Sequence, residues 1–131
     1  MGRFLVALLF GLAVGLGATC VPASAQAAFF SLIDDVPMPP GFSERAAPAV
    51  FDGGRGRLII GFAQGQGAPL AVRDFYIETL PQLGWTVAGE VGGLMFRRGR
   101  EKLSLAIVSG AQGELLVDAV LTAERASQAL D

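Results

Sequence analysis

The sequence predicts an α+β fold in which one amphipathic helix packs on one face of an antiparallel sheet of about five to six strands. Alternating apolar and polar residues recur along most of the chain, and one stretch between residues 69 and 84 changes to helical periodicity. Glycine-bearing turns separate the alternating segments. Turns this short join antiparallel neighbours, so we expect the order β(β)αββββ, preceded by a signal peptide.

Residues 1–27 have the pattern of an export signal. Arg3 precedes an uninterrupted apolar run over residues 4–17, and small residues follow it. The run is shorter than the roughly 20 residues of a membrane-spanning helix, which disfavours a retained anchor. We therefore expect cleavage before Gln26 or Ala28, and a periplasmic or secreted product that does not contact the membrane after cleavage.

Cys20 is the only cysteine and lies within the expected signal. A lipidated Cys20, or a retained signal anchor, is the alternative in which the chain is a membrane-attached structural protein. The residues "GATC" ahead of it differ from a lipoprotein signal, which has a large aliphatic residue in place of Gly17 and a small residue in place of Thr19. Once the signal is removed, neither a disulfide nor a thiolate is available to the mature chain.

The mature chain begins with an extended, proline-rich entry segment, residues 28–48. Its prolines fix φ and remove backbone donors, so "VPMPPGF" cannot be helical. One interpretation lays its side chains over a sheet edge or the open end of the core; the other exposes them as a partner-binding strip. The side chains concerned are Val36, Pro37, Met38, Pro39, Pro40 and Phe42.

The α+β domain is expected over residues 49–122 and opens with a hairpin. A short strand, a glycine-rich reversal at residues 52–56 and a longer strand follow one another, and the longer strand places Leu58, Ile60 and Phe62 on one face. Asp52 before the glycines is best explained as a turn residue.

The helix is predicted to begin at Pro69, because the first helical position needs no N–H. Pro81 should stop the regular helix near Leu80, and Gly84 suits the left-handed residue that ends it. The residues expected on its apolar side are Val72, Phe75, Tyr76, Thr79, Leu80 and Leu83.

A four-strand antiparallel meander is predicted from Trp85 onward, with its first strand parallel in direction to the strand before the helix. The residues expected to point inward, strand by strand, are Trp85 and Val87; Leu94 and Phe96; Leu103, Leu105 and Ile107; Leu115, Val117, Ala119 and Leu121. The opposite faces carry Thr86, Arg97, Ser104, Asp118 and Thr122. This alternation is typical of a sheet with one solvated face. We expect the first strand of the domain to pair with the last, and residues 123–131 to form a tail or short helix.

The segments "DVPMPPGF", "VFDGGRGRLI" and "FYIETLPQLGW" together resemble a group of small exported proteins of alphaproteobacterial type. The last of them is also similar to a pattern in envelope lipoproteins, where a helix packs on a sheet and Gly-Trp leads into the next strand. The resemblance implies an envelope location and an α+β fold, and it supplies no catalytic residues.

The composition argues against most enzyme classes. The chain has no histidine, so the commonest proton shuttle and transition-metal ligand are both missing, and no serine lies in a nucleophile motif. Asp34 and Asp35 are adjacent acids expected in solvent, so a hydrolase that uses a carboxylate pair is a weak alternative. We expect no catalytic residue, no cofactor and no metal site. The net charge of −2 gives no electrostatic basis for nucleic-acid binding.

The segment "RRGREK" concentrates basic residues around one hairpin. It is either a solvated turn that discourages edge pairing or a contact for lipid head groups or anionic cell-wall polymer. The residues concerned are Arg97, Arg98, Arg100 and Lys102. The sequence as a whole indicates an exported, non-enzymatic accessory or interaction module of the cell envelope, with another envelope protein as its partner.

Overall fold

The computed structural model describes residues 28–126. The predicted signal peptide, Cys20 and the last five residues of the predicted tail lie outside the described residues. The strands are β1 (Ser43–Glu44), β2 (Ala49–Gly53), β3 (Gly56–Gln66), β4 (Thr86–Gly89), β5 (Leu94–Arg98), β6 (Glu101–Ser109) and β7 (Glu114–Glu124), and the helix is α1 (Pro69–Thr79). Short 3₁₀ turns at Leu80–Leu83 and Ala111–Gly113 follow α1 and precede β7.

The fold is α+β, as predicted, with one antiparallel sheet in the order β1-β3-β7-β6-β5-β4 and β2 also paired with β3. The last strand, β7, lies between β3 and β6, and its eleven residues pair with β3 along its full length. Successive antiparallel pairs make β3 and β4 run in the same direction, which the sequence predicted. The sheet has one strand more than expected because the entry segment contributes β1.

Along β3, one edge pairs with β7 and the other is shared by two short strands. β2 covers the first half through the pairs from Gly53↔Gly56 to Ala49↔Ile60, and β1 covers the second half through Ser43↔Gln64. The strand that pairs with β7 is therefore the long strand of the hairpin, and the shorter β2 lies at the edge.

The helix follows the sequence prediction closely. It begins at Pro69, and the regular helix ends at Thr79, where a 3₁₀ turn containing Pro81 replaces it. Gly84 ends the turn with φ of 88°, and the Trp85 N–H donates to the Leu80 carbonyl at 3.1 Å. Glycine is needed at this position because other residues rarely adopt positive φ.

The core lies between α1 and the face of the sheet that we call the inner face. Residues at alternate positions of β5, β6 and β7 point into it, as the meander prediction required. The buried side chains on these elements are Val72, Tyr76, Leu80, Leu94, Phe96, Leu103, Leu105, Leu115, Val117, Ala119 and Leu121. Trp85 is also buried, but Val87 is 41% exposed. Val87 pairs with the buried Phe96 and so lies on the inner face, as predicted, but it stays partly exposed because β4 is the edge strand of the sheet.

The entry segment completes the core from the β3 side. The backbone folds back on itself, with Phe29 bridged to Pro37 and the Phe30 N–H donating to the Val36 carbonyl at 3.1 Å. The rings of Phe30 and Phe42 then lie on the inner face of β3. A Cβ on Gly61 would approach the Phe30 ring to 2.8 Å, and a Cβ on Gly65 would approach the Phe42 ring to 2.5 Å. The two glycines therefore make room for the two rings.

The folded unit is wider than residues 49–122. The entry segment supplies buried side chains and β1 before that range, and β7 continues through Glu124 after it. Glu124 is thus in a strand where the sequence suggested the beginning of a tail helix. Among residues 28–126, no helix has the length and apolar character needed to cross a membrane.

Candidate functional site: the outer face of the sheet

The face of the sheet opposite α1 combines apolar side chains with charged side chains that form no ion pair among the described residues. We call it the outer face, and the strand register defines it. Directly opposed residues of an antiparallel pair share a face, so the pairs Leu58↔Thr122 and Ile60↔Val120 place β3 and β7 side chains together on it. The helix and the entry rings both lie on the inner face, so neither covers this one.

Half of the outer face is apolar. On β3 its side chains are the large ones, Leu58, Ile60 and Phe62, whereas the inner positions of the same strand include Gly61, Ala63 and Gly65. The sequence correctly placed the three large residues on one face, but that face is not the one under the helix. A strand with apolar residues on both faces is typical of a sheet that is covered on both sides.

The apolar surface extends to the neighbouring strands. Phe51 of β2 pairs with Leu58 and is 57% exposed, and Val108 of β6 pairs with Leu116 of β7 and is also exposed. We call the whole set the apolar strip. Its members are Phe51, Leu58, Ile60, Phe62, Val108, Leu116 and Val120.

Sequence reasoning missed most of this strip. It assigned polar residues to the outward positions of the meander, and the structure indeed places Ser104, Asp118 and Thr122 there. Val108, Leu116 and Val120 occupy outward positions on the same strands. The available signal was the two-sided apolar run "LIIGFA" in β3 together with these outward apolar residues in β6 and β7.

Two basic residues lie next to each other on the β5–β6 part of the outer face. Arg97 of β5 and Lys102 of β6 are directly opposed, and both are exposed. Neither forms an ion pair among residues 28–126. Like charges placed directly opposite each other destabilise a sheet, so this pair has a cost that an anionic group would relieve. Arg100 lies in the adjoining turn and is exposed.

Arg98, predicted as the fourth member of the basic cluster, points to the inner side. Its guanidinium lies 4.4 Å from the centre of the Trp85 ring, and it donates to Glu101 at 2.8 Å and to Asp35 at 3.0 Å. Burial by itself lowers the pKa of Arg98, and the hydrogen bonds and charges of Glu101 and Asp35 outweigh this and raise the pKa. Arg98 therefore ties the entry segment to the sheet and is not available to an external anion.

Three acids of β7 lie on the outer face, Glu114 and Glu124 at the two ends of the strand and Asp118 in its middle. Asp118 of β7 is directly opposed by Phe62 on one side and Ala106 on the other, and it forms no ion pair among the described residues. It lines a shallow hollow of about 290 Å³ together with Met95, Ser104 and Val120. Val91, which is 97% exposed, forms part of the rim.

The proline strip is placed in the protein's own core. Val36, Pro37, Met38 and Pro39 are buried, as is Phe42, and of the six named residues only Pro40 is exposed. This is the arrangement of the first interpretation, in which the segment covers the end of the core. The apolar residues Phe30 and Ile33, which the sequence interpretation did not use, are buried with them.

The carboxylates of the entry segment form no enclosed pair. Asp34 and Asp35 are both exposed, and Asp35 is held by Arg98. No group of three or more potential metal ligands occurs among residues 28–126. Comparison with protein-family models, with curated proteins and with solved structures finds no match. The resemblance to exported alphaproteobacterial proteins stays a prediction.

Proposed function

We propose that this chain is an exported, non-enzymatic docking module of the cell envelope, and that the outer face of its sheet is the docking surface. The observation that carries the proposal is the arrangement of β3, whose large side chains Leu58, Ile60 and Phe62 point away from the helix that covers the sheet. These three side chains are half-buried, and the neighbouring Phe51 is exposed. Contiguous apolar patches that reach solvent and are bordered by polar groups are typical of protein interaction sites.

The polar part of the outer face supports the same role. Arg97 and Lys102 form an unneutralised basic border beside the apolar strip, and Asp118 supplies one opposite charge. An interface with an apolar centre and a charged border is the usual anatomy of a specific protein complex. Export is supported by the N-terminal pattern of Arg3 followed by the apolar run of residues 4–17.

Site-specific photo-crosslinking in cells that produce the full chain tests the docking role. Phe51 is replaced by a photoreactive phenylalanine derivative, because it is aromatic and exposed on the outer face. We expect a discrete crosslinked product that disappears when Leu58→Gln is added. The matched control carries the probe at Glu78, which is exposed on α1 on the other side of the sheet.

Equal background labelling at Phe51 and Glu78 would contradict the docking role. Mass determination of the mature N-terminus tests export separately: we expect Gln26 or Ala28 as the first residue. A chain that still begins at Met1, or one with a lipid on Cys20, would favour the membrane-attached alternative.

A further inference from the structure

The charges of the outer face have a defined spacing. Lys102 opposes Thr122 on β7, and Asp118 lies four residues before Thr122 on that strand. Lys102 and Asp118 are therefore separated by one strand spacing, about 5 Å, and by about 13 Å along the strands. Because Asp118 and Lys102 have opposite charges and no partner among residues 28–126, the outer face carries two separate halves of an ion pair.

We propose that the occupant of the outer face is a second copy of this chain, bound face to face about a two-fold axis; this inference rests on the docking role proposed above. An axis that runs parallel to the sheet, about 5 Å above its outer face and over the point between Ser104 and Val120, places each Lys102 opposite the other copy's Asp118. A two-fold interface repeats this contact, so two such ion pairs form.

The tilt of this axis sets the angle at which the strands of the two copies cross. The offsets of about 5 Å and 13 Å tilt the axis by about 20° from the perpendicular to the strands. Strands of the two copies then cross at about 40°, close to the roughly 30° of aligned β-sandwiches.

The same operation brings apolar residues together. Leu58 of one copy comes to lie opposite Ile60 of the other, and Val120 lies near the axis opposite its own counterpart. Arg97, which neighbours Lys102, also moves over the hollow beside Asp118, whose volume of about 290 Å³ can admit a basic side chain. One rotation thus forms both the Lys102–Asp118 contacts and the contact between Leu58 and Ile60.

The area of the face is sufficient for a dimer. β3 and β7 each have eleven residues, and β2, β5 and β6 are the other strands counted in this area. At about 3.4 Å per residue and 4.8 Å per strand, the face covers roughly 700 Å². Stable protein complexes bury about 600–1,000 Å² on each partner, so the whole face has to take part.

Charge reversal with mixing tests the geometry. By sedimentation equilibrium, we expect the mature chain to be a dimer, and we expect Asp118→Lys and Lys102→Asp each to weaken self-association by at least tenfold. Mixed in equal amounts, the two variants should form a heterodimer, because both contacts are then between opposite charges. The double variant should dimerise with itself for the same reason.

Glu78→Lys on α1 is the matched control and should leave the dimer unchanged. A mature chain that stays monomeric, or a dimer that none of the outer-face reversals weakens, would overturn the inference. So would two variants that fail to associate on mixing while both retain native tryptophan fluorescence. A monomer whose Phe51 probe crosslinks to another protein would reject the second copy as occupant and leave the docking role standing; a monomer with no crosslink would reject both.

Discussion

The two faces of the sheet differ in how side-chain size is distributed. On the inner face of β3 the residues after Ile59 are small, because the rings of Phe30 and Phe42 occupy the space above Gly61 and Gly65. On the outer face the residues are large, and no described element lies above them. In β3, therefore, small residues lie where the entry segment covers the sheet, and large residues lie on the face where we expect a partner.

The largest expected difference in stability is between alanine substitutions of Phe42 and of Phe51. Phe42→Ala removes a ring buried on the inner face and should lower the free energy of unfolding by about 3–5 kcal/mol. Phe51→Ala removes a ring that is more than half exposed and should cost less than about 1 kcal/mol in the monomer. Urea unfolding followed by the fluorescence of Trp85, the only tryptophan, measures both. An equal loss of unfolding free energy at the two positions would contradict the assignment of Phe42 to the core and Phe51 to the surface.

A smaller effect is expected at the glycines. Gly65→Ala places a methyl group against the Phe42 ring and should destabilise the fold by about 1–3 kcal/mol. Gly53→Ala is the matched control, because nothing lies within 4 Å of its Cβ position, and it should change stability by less than about 1 kcal/mol. Combining Gly65→Ala with Phe42→Ala should cost less than the sum of the single changes. Strict additivity would show that the two residues do not touch.

The sequence predicted the strands and the helix well because their signals are local. Pro69, Pro81 and Gly84 fix the helix ends through their own backbone preferences, and the alternation in β5, β6 and β7 identifies the inward residues. These properties depend on neighbours along the chain. They are therefore readable before any contact between distant segments is known.

The candidate site could not be predicted in the same way. Both faces of β3 are apolar, so periodicity alone does not say which face the entry segment covers. The choice depends on Phe30 and Phe42 fitting against glycines thirty-one and twenty-three residues away. The separation of Arg98 from Arg97, by contrast, follows from strand alternation as soon as β5 is known to extend through Arg98.

Substitutions of the adjacent residues Arg97 and Arg98 should have different effects on stability, because their side chains lie on opposite faces of the sheet. Arg98→Gln removes the contact with Trp85 and the bonds to Glu101 and Asp35, so it should lower stability by about 1–2 kcal/mol. Arg97→Gln relieves the repulsion with Lys102 and should be neutral or stabilising by less than about 1 kcal/mol. Both are measured by urea unfolding at a concentration where the chain is monomeric. The reverse order of the two costs would contradict the assigned directions of the side chains.

The smallest effect at neutral pH concerns Tyr76, whose hydroxyl is buried and has no hydrogen-bond partner among residues 28–126. Removing an unpaired buried hydroxyl is not destabilising, so Tyr76→Phe should be neutral or stabilising by up to about 1 kcal/mol. A loss of more than about 1 kcal/mol would instead reveal a buried water or another partner on the hydroxyl.

Alkaline pH should increase the stability of Tyr76→Phe relative to that of the parent. Burial raises the pKa of Tyr76 well above its ordinary value, so the folded protein keeps the phenolic proton at pH values where the unfolded chain releases it. The stability of the parent is therefore unaffected by this group below about pH 10 and falls above it, by up to about 1.4 kcal/mol per pH unit. Tyr76→Phe lacks this dependence. Since Tyr76 is the only tyrosine, tyrosinate absorbance reports its titration directly, and an ordinary pKa in the folded chain would show that the inner face admits water at this position.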